Sequence, residues 1–371
     1  MKIYFAGTPG GGTTGYCIRE VELSRLWSAR LWSYYWLIKD GGAMKKGDRK
    51  VNLFLDSGAF SALTRGGKVD IDKYIDFIKE NRSSIDMYAN LDVIDSWEKT
   101  WDNQKYMESK GLDPLPTFHV NLEENMDKAE EENMYEHLNR YVDAGYAYIG
   151  LGGMVKTVVG YTDMSKVSVQ RKYVVEKLDS IFANILCNKD GMPKVKVHGF
   201  GISSWFLMWR YPWYSVDSTT WIKVSRNGLI YVPYLRSGKW SYEQEGLKVA
   251  MSLRSPFALV KRKHINTRVK AEQDILLQYL EYKGYKLGMS EFHHELPSYK
   301  LKAKERWHGE VETKGENEGK RAVETIIEVG VCNTYQLRDE LNIIYFLDVE
   351  RHMPEWPWPF KRTSMSGFYE K

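Results

Sequence analysis

The stretch Asn52-Leu-Phe-Leu-Asp56-Ser-Gly-Ala-Phe-Ser61 contains the pattern on which the fold depends. A short apolar run ends at an acidic residue and a glycine, and an amphipathic segment, Ile71 to Asn81, comes next. The run predicts a buried strand, and the amphipathic segment predicts a helix that packs on it. The same order recurs over the first two thirds of the chain, so the sequence predicts repeated βα units around a parallel sheet.

Seven segments have the apolar character of strands: Lys2 to Ala6, Asn52 to Asp56, Asp86 to Leu91, Leu115 to Val120, Tyr146 to Leu151, Val195 to Phe200 and Tyr214 to Asp217. Apolar residues at helical spacing predict helices between them: Arg19 to Lys39, Ile71 to Asn81, Ser96 to Ser109, Glu124 to Ala144 and Val167 to Leu186. The alternation and the size of the region, roughly 250 residues, favour a (β/α)8 TIM-like barrel over an open doubly wound sheet. The eighth strand is left open.

The pattern changes near residue 255, where charged, irregular segments begin. We therefore predict a barrel over residues 1–255 and a smaller, α-rich C-terminal appendage over 256–371. Its expected helices are Thr267 to Lys283 and Gly319 to Glu328. The segment Pro354 to Phe360 has three prolines and two tryptophans, which predicts that it packs back on the body of the protein or on a partner.

The composition excludes several classes of protein. The 371 residues include 53 Lys and Arg against 49 Asp and Glu, and a net charge of +4 is not that of a histone-like nucleic-acid binder. No stretch approaches the roughly 20 apolar residues of a membrane span, so we expect a cytoplasmic protein without a membrane partner. The three cysteines, Cys17, Cys187 and Cys332, offer neither a disulfide framework nor a zinc site.

The loop Gly7-Thr-Pro-Gly-Gly-Gly-Thr-Thr-Gly15 follows the first predicted strand. Gly7 and Gly12 have the spacing of a phosphate-binding loop, but Thr13 stands where such a loop needs lysine. This argues against an NTPase. A rim loop that closes over a substrate, or contacts a phosphate through its backbone amides, is the alternative.

Three aspartates, Asp56, Asp92 and Asp217, each follow a predicted strand. In a barrel these positions lie together at the carboxyl-terminal mouth, where carboxylates act as nucleophiles, acids or anchors for base edges. Each one could instead cap the helix that follows it. His198 follows another strand and is interpreted as a hydrogen-bonded histidine rather than a catalytic base.

Several motifs then occur in a defined order: Asp56-Ser-Gly-Ala-Phe-Ser61, Ile149-Gly-Leu-Gly-Gly-Met154, His198-Gly-Phe-Gly201 and Ser225-Arg-Asn-Gly228, whose glycine lies eleven residues after Asp217. In this order and spacing the chain resembles the tRNA-guanine transglycosylase superfamily. It is most similar to the DpdA-type 7-deazaguanine DNA transglycosylases of phages and bacteria. The resemblance covers about residues 50–235.

The resemblance implies a role for each matching residue. Asp217 would be the nucleophile that attacks C1′ of the guanine nucleoside, and Asp56 the general acid and base. The resemblance assigns base binding to Asp92, His119, Gly152, Gly153, Ser57 and Phe60. His119 or Asn121 would replace a glutamine of the tRNA enzymes. The incoming base would be a 7-deazaguanine such as preQ0, and the product would be phage DNA protected from restriction in the host cytoplasm.

One departure concerns the polymer. The tRNA enzymes carry a Cys3His zinc site after the nucleophile, and this chain has no cysteines that could form it, so we expect no metal cofactor and a DNA substrate. Arg226, Lys261, Arg262 and Lys263 are candidates for phosphate contacts, although a solvated basic face is an equal alternative. A tRNA or RNA transglycosylase, and a barrel that binds a nucleobase or nucleic acid without turnover, remain open.

Overall fold

The computed structural model describes residues 1–7, 26, 28–39, 52–121, 126–153 and 164–362, with only the backbone at 164–172. The chain forms two compact units. Unit 1 comprises residues 1–219 and 350–371, and unit 2 comprises residues 220–349. The boundary predicted after residue 255 therefore falls inside unit 2.

Unit 1 is built on one sheet of eight parallel strands. The strands are β1 (Lys2–Ala6), β2 (Ala29–Ser33), β3 (Leu53–Asp56), β4 (Met87–Tyr88), β5 (Thr117–His119), β6 (Tyr148–Gly152), β7 (Lys196–Gly199) and β8 (Ser215–Ser218). Their order in the sheet is β4-β3-β2-β1-β8-β7-β6-β5, so strands adjacent in the chain are adjacent in space and β1 pairs with β8. This is the strand order of a TIM-like fold.

The two outermost strands, β4 and β5, are joined by a single parallel bridge between Ala89 and Leu115. No ladder forms between them in the described residues. The predicted barrel is thus confirmed as a curled, TIM-like sheet of eight parallel strands, but it is not a closed barrel. The strands next to the break are only two and three residues long, which limits the pairing they can offer.

All seven predicted strands are present, and the missing eighth is β2. The sequence interpretation placed these residues in a helix over 19–39. Leu31 belongs to a cluster with Tyr4 and Phe54 from neighbouring strands, whereas Trp32 packs with residues of the surrounding helices. Four of the five residues of β2 are buried, including Arg30, so no exposed polar face marks this segment as a strand in the sequence. Most of the remainder of the predicted helix, residues 19–25, lies outside the described residues.

The helices of unit 1 are α1 (Tyr34–Lys39), α2 (Ala59–Leu63), α3 (Ile71–Glu80), α4 (Trp97–Ser109), α5 (Lys128–Asp143), α6 (Met164–Ile181) and α7 (Trp205–Arg210). Side chains cap three of them: Asp70 caps α3, Ser96 caps α4, and Asp127 forms a capping box with Glu130 on α5. No helix among the described residues has the length and apolar composition needed to cross a membrane.

The C-terminal segment packs on unit 1, as one of the two predicted alternatives. The backbone N–H of Phe360 donates to the carbonyl of Gly191 at 2.9 Å, and the Trp356 indole donates to the carbonyl of Pro212 at 3.2 Å. The Phe360 ring also stacks on Tyr211, with 5.6 Å between the ring centroids. These contacts place residues after 349 in unit 1 rather than in the appendage.

Unit 2 mixes helices with antiparallel strands, and so does the stretch 256–371 that the sequence predicts as an α-rich appendage. Its strands are β9 (Leu229–Val232), β10 (Tyr234–Arg236), β11 (Lys239–Ser241), β12 (Leu247–Ala250), β13 (Met289–Glu295), β14 (Glu305–Val311) and β15 (Arg321–Glu328). Its helices are α8 (Thr220–Arg226), α9 (Lys270–Tyr282) and α10 (Tyr335–His352), the last of which ends in unit 1.

Two predictions for this region have opposite outcomes. The helix predicted at Thr267 to Lys283 is confirmed as α9. The helix predicted at Gly319 to Glu328 is wrong, because these residues form β15, the central strand of a three-stranded antiparallel sheet. The run Arg-Ala-Val-Glu-Thr-Ile-Ile-Glu is rich in β-branched residues, which favour a pleated strand over a helix.

Candidate active site

The carboxyl ends of the parallel strands in unit 1 bring together the three predicted aspartates. Asp56 is the last residue of β3, Asp217 lies in β8, and Asp92 follows β4. The negative charges of Asp92 and Asp217 both act on Asp56. The structure therefore assembles at one mouth the residues that the sequence could only place at separate strand ends.

None of the three aspartates caps a helix. The Asp56 carboxylate accepts from the backbone N–H of Gly58 at 3.0 Å, two residues ahead, and the N-cap of α2 is Gly58 itself. The helix after Asp92 is capped by Ser96, and Asp217 accepts from the backbone of Gly201 on another loop. The alternative that these residues serve only as N-caps is therefore excluded.

Asp56 is a carboxyl group whose protonated form is favoured. Burial, followed by the charges of Asp92 and Asp217, raises its pKa to about 8, against the opposing effect of backbone hydrogen bonds from Gly58 and Ser57. Two like charges nearby make a further negative charge costly. Asp56 is thus a carboxylic acid that can give and take a proton near neutral pH.

Asp92 is held in its ionised form by the side chains of Ser57 and His119. Its Oδ1 accepts from the Ser57 hydroxyl at 3.0 Å, and its Oδ2 lies 2.5 Å from Nε2 of His119. Burial opposes ionisation of Asp92, but the hydrogen bond and charge of His119, with the Ser57 hydrogen bond, lower its pKa overall. Asp92 is therefore a fixed anionic acceptor with both oxygens engaged.

Two glycines form a close wall beside this pair. A Cβ at Gly152 would lie 3.1 Å from Nε2 of His119, so a side chain there would crowd the imidazole. Gly153 has φ of +90°, and a Cβ there would lie 2.2 Å from the carbonyl oxygen of Val120. Glycine is required at 153, and at 152 it lets the imidazole of His119 pack directly against the end of β6.

Asp217 is buried and receives its hydrogen bonds from a different direction. The backbone N–H of Gly201 donates to Oδ1 at 2.9 Å, and Nε2 of His198 lies 3.3 Å from the same oxygen. Among the described residues no hydrogen bond reaches Oδ2, although the side chain keeps 9% of its surface exposed. One oxygen is anchored and the other is available for reaction.

The hydrogen bonds continue from His198 into the interior of the sheet. Nδ1 of His198 lies 2.5 Å from the Ser215 hydroxyl, which in turn lies 2.5 Å from the Tyr148 hydroxyl. Sequence interpretation found His198 and expected it to be hydrogen-bonded, which is confirmed, but missed Ser215 and Tyr148. The available signal was strand alternation, since Ser215 and Asp217 are two residues apart and share a face.

The other predicted residues lie elsewhere. Phe60 is on α2 with 39% of its surface exposed. The four predicted phosphate contacts lie in unit 2. Arg226 is the last residue of α8, and the loop 252–263 contains Lys261, Arg262 and Lys263. The Ser255 hydroxyl donates to the carbonyl of Asn227 at 2.6 Å, which joins this loop to the turn after α8. The glycine-rich loop, apart from Gly7, and Cys17 lie outside the described residues.

The loop 252–263 presents charge and apolar surface together. Arg262 donates to Glu272 at 2.6 Å, but neither Lys261 nor Lys263 has a carboxylate partner in the described part of the chain. Leu259 is 94% exposed. The loop therefore offers two uncompensated cations beside an exposed apolar side chain.

In the ranges that the structure describes, no group of three His, Cys, Asp or Glu side chains is arranged to hold a metal ion. Cys187 and Cys332 are free, and burial raises the pKa of both thiols. A scan against protein-family models finds no match to this chain, and a search of curated protein sequences finds no match either.

Proposed function

We propose that unit 1 catalyses the exchange of guanine in DNA for a 7-deazaguanine base, with Asp217 as the nucleophile. The resemblance in motif order described above suggests this reaction. The observation that carries the proposal is that three carboxyl groups at the carboxyl ends of the strands differ in protonation and in hydrogen bonding. One carboxyl group has a pKa raised to about 8, one is held anionic by His119, and one has an unengaged oxygen.

The reaction consists of two displacements at the same carbon. Oδ2 of Asp217 attacks C1′ as the bond from C1′ to N9 of guanine breaks, and the bonding electrons leave with the base. Asp56 donates its proton to the departing guanine, so the base leaves as a neutral molecule. The result is a covalent ester between Asp217 and the deoxyribose.

The second displacement reverses the first with a new base. The incoming 7-deazaguanine gives a proton to Asp56, its N9 attacks C1′, and Asp217 leaves as a carboxylate. Asp92 accepts hydrogen bonds from the N1–H and the exocyclic amine of either base through the remaining lone pairs of its oxygens. No external cofactor is needed for this balance, because each proton taken up by Asp56 is returned in the other half-reaction.

A duplex substrate would have to release the nucleotide from the stack, because C1′ and the base edge cannot both reach a concave mouth from within a helix. Asp92, held ionised by His119 and Ser57, is an acceptor that suits the N1–H and exocyclic amine of guanine or a 7-deazaguanine. These features support a nucleobase as the group transferred.

The test measures release of labelled guanine from DNA in the presence of preQ0, together with a denaturation-resistant adduct between protein and DNA. Wild type is expected to release label and to form the adduct. Asp217→Asn is expected to do neither, and Asp102→Asn, at an exposed position on α4, serves as the matched control.

Each other outcome points to a different function. Release from tRNA in preference to DNA, in a competition for labelled preQ0, would reassign the polymer and keep the chemistry. Binding of guanine-containing oligonucleotide without release or adduct would indicate a barrel that binds without turnover. Equal release by Asp217→Asn and wild type would refute the nucleophile.

A further inference from the structure

We infer that His198 is a positioning residue for Asp217: a buried chain through Tyr148 and Ser215 fixes the imidazole as the Nε2–H tautomer, which holds Oδ1 and leaves Oδ2 as the reacting oxygen. This inference rests on the proposed function for the role of Oδ2, but the tautomer itself is independent of any reaction.

The chain is built from three adjacent parallel strands. His198 on β7 is in register with Ser215 on β8, and β6 supplies Tyr148 from the other side of β7. His198 has no exposed surface, and Ser215 has none either. The two central members, His198 and Ser215, are therefore fixed by backbone register and have no contact with solvent, which makes the order of donors and acceptors between them a property of the fold.

Proton accounting selects one tautomer. An ionised Asp217 facing an unprotonated Nε2 at 3.3 Å would set two lone pairs against each other, so Nε2 must carry the proton. In a neutral imidazole, Nδ1 is then an acceptor and receives a hydrogen bond from the Ser215 hydroxyl. Ser215 Oγ in turn accepts from Tyr148, whose pKa is raised by burial so that it remains a phenol. Tyr148, Ser215 and His198 thus each donate one hydrogen bond to the next group, and the last acceptor is Asp217.

Aromatic rings hold the imidazole in place. The ring centroid of Phe200 lies 4.5 Å from that of His198, Phe54 lies at 4.9 Å and Tyr4 at 5.9 Å, all edge to face. Rotation of the imidazole would require these rings to move together in a close-packed interior. The orientation of Nε2 toward Asp217 is thus enforced by packing as well as by hydrogen bonds.

Oδ1 of Asp217 has a second hydrogen-bond donor besides His198. Gly201 reaches Oδ1 through its backbone N–H at 2.9 Å, so the two donors converge on one side of the carboxylate. The carboxylate cannot rotate to exchange its oxygens without losing both bonds. A reacting atom held in one orientation gains rate by avoiding the search for that orientation.

Two substitutions at one position separate positioning from filling of space. In His198→Gln the amide nitrogen can occupy the place of Nε2 and still donate to Asp217. In His198→Asn the shorter side chain reaches Ser215 but not Asp217. We expect His198→Gln to keep kcat within about tenfold of wild type, and His198→Asn to lose about 100-fold in kcat with KM little changed.

The tautomer is measured directly by ¹⁵N NMR of protein labelled in the histidine rings, with the His198 signal assigned by its loss in His198→Gln. The expected spectrum has a protonated Nε2 and an unprotonated Nδ1. A protonated Nδ1 would overturn the inference, and so would equal kcat values for His198→Gln and His198→Asn, both folded by their thermal melting.

The two proposals fail in different ways. If no transglycosylation occurs but the spectrum shows the Nε2–H tautomer, the proposed function fails and the positioning of Asp217 stands. If exchange occurs and Nδ1 carries the proton, the function stands and the inference about His198 fails.

Discussion

The described part of unit 1 shows the aspartate–histidine pairs Asp92–His119 and Asp217–His198, and they engage the carboxylate differently. In the pair Asp92–His119, Ser57 binds one oxygen and the histidine binds the other. In the pair Asp217–His198, both donors converge on Oδ1. A carboxylate held at both oxygens is suited to be a stationary acceptor, whereas one held at a single oxygen can present the other to an electrophile.

The two histidines also differ in their surroundings. His119 keeps 14% of its side chain exposed at the mouth, while His198 is enclosed by aromatic rings and strand backbone. The two aspartates are exposed to nearly the same small extent, 10% for Asp92 and 9% for Asp217, so the pairs differ in their histidines. Under the proposed function, the same two residue types would serve base binding in one pair and nucleophilic attack in the other.

The largest expected effect breaks this contrast by neutralising each aspartate in turn. Asp217→Asn should lower kcat by at least about 10⁴-fold, because the amide is a poor nucleophile and no covalent ester forms. Asp92→Asn should instead raise KM for the base by about 10- to 100-fold, the loss expected for hydrogen bonds to a charged acceptor. Steady-state kinetics with preQ0 as the varied substrate measures both. A loss confined to kcat in Asp92→Asn would contradict the contrast.

Asp56 reports on both pairs, because the charges of both aspartates help to raise its pKa. The acid form donates to the leaving base, so kcat/KM should fall as pH rises through about 8. Asp56→Asn should lower the rate by about 10²- to 10⁴-fold and abolish this alkaline limb. A pH profile from 5 to 10 measures it.

A control for this profile comes from Asp217→Asn combined with an equilibrium titration. Removal of the Asp217 charge takes away one cause of the raised pKa, so Asp56 should titrate at a lower pH in that variant. The titration can be followed by the infrared band of the protonated carboxyl group. An unchanged midpoint would mean that Asp217 does not act on Asp56.

Much of the fold could be predicted from the sequence because apolar runs with polar ends are local signals. Several elements were not predicted, and β2 and α10 show why. β2 buries Arg30 along with its apolar residues and so has no exposed polar face. α10 buries Asp339 and Asn342 along with its apolar residues, so it has no single apolar stripe. The Asn342 side chain meets the backbone of Tyr231 and Trp221, a use of a polar group that no spacing rule predicts.

The candidate site likewise has a part that the sequence predicts and a part that it does not. Asp56, Asp92 and Asp217 were predictable because each ends or follows an apolar run. Which oxygen each one leaves free was not, because that depends on residues brought together by strand register, such as His198 beside Ser215. Sequence thus indicates which side chains reach the mouth, while the three-dimensional pairing determines what each can do there.

A smaller effect is expected when His119 of the Asp92–His119 pair is replaced. His119→Leu removes the hydrogen bond that lowers the pKa of Asp92, so Asp92 should become protonated at a higher pH and lose its role as acceptor. KM for preQ0 should then rise several-fold at about pH 5 and much less at pH 8. His119→Gln, which keeps a donor, should lie close to wild type. A KM increase that is the same at both pH values would indicate a steric effect instead.

The smallest effect is expected in unit 2, away from both pairs in the chain. Lys261 and Lys263 have no carboxylate partner among the described residues, so each can release a counterion when it meets a phosphate. The double substitution Lys261→Ala and Lys263→Ala should reduce the slope of log affinity against log salt by about 2. Fluorescence anisotropy with duplex DNA at several salt concentrations measures the slope. Because these lysines contribute to capture of the polymer and not to the reaction, the single-turnover rate at saturating DNA should be unchanged. If that rate falls instead, Lys261 and Lys263 contribute to the chemical step. The two aspartate–histidine pairs of unit 1 would then not be sufficient to explain the reaction.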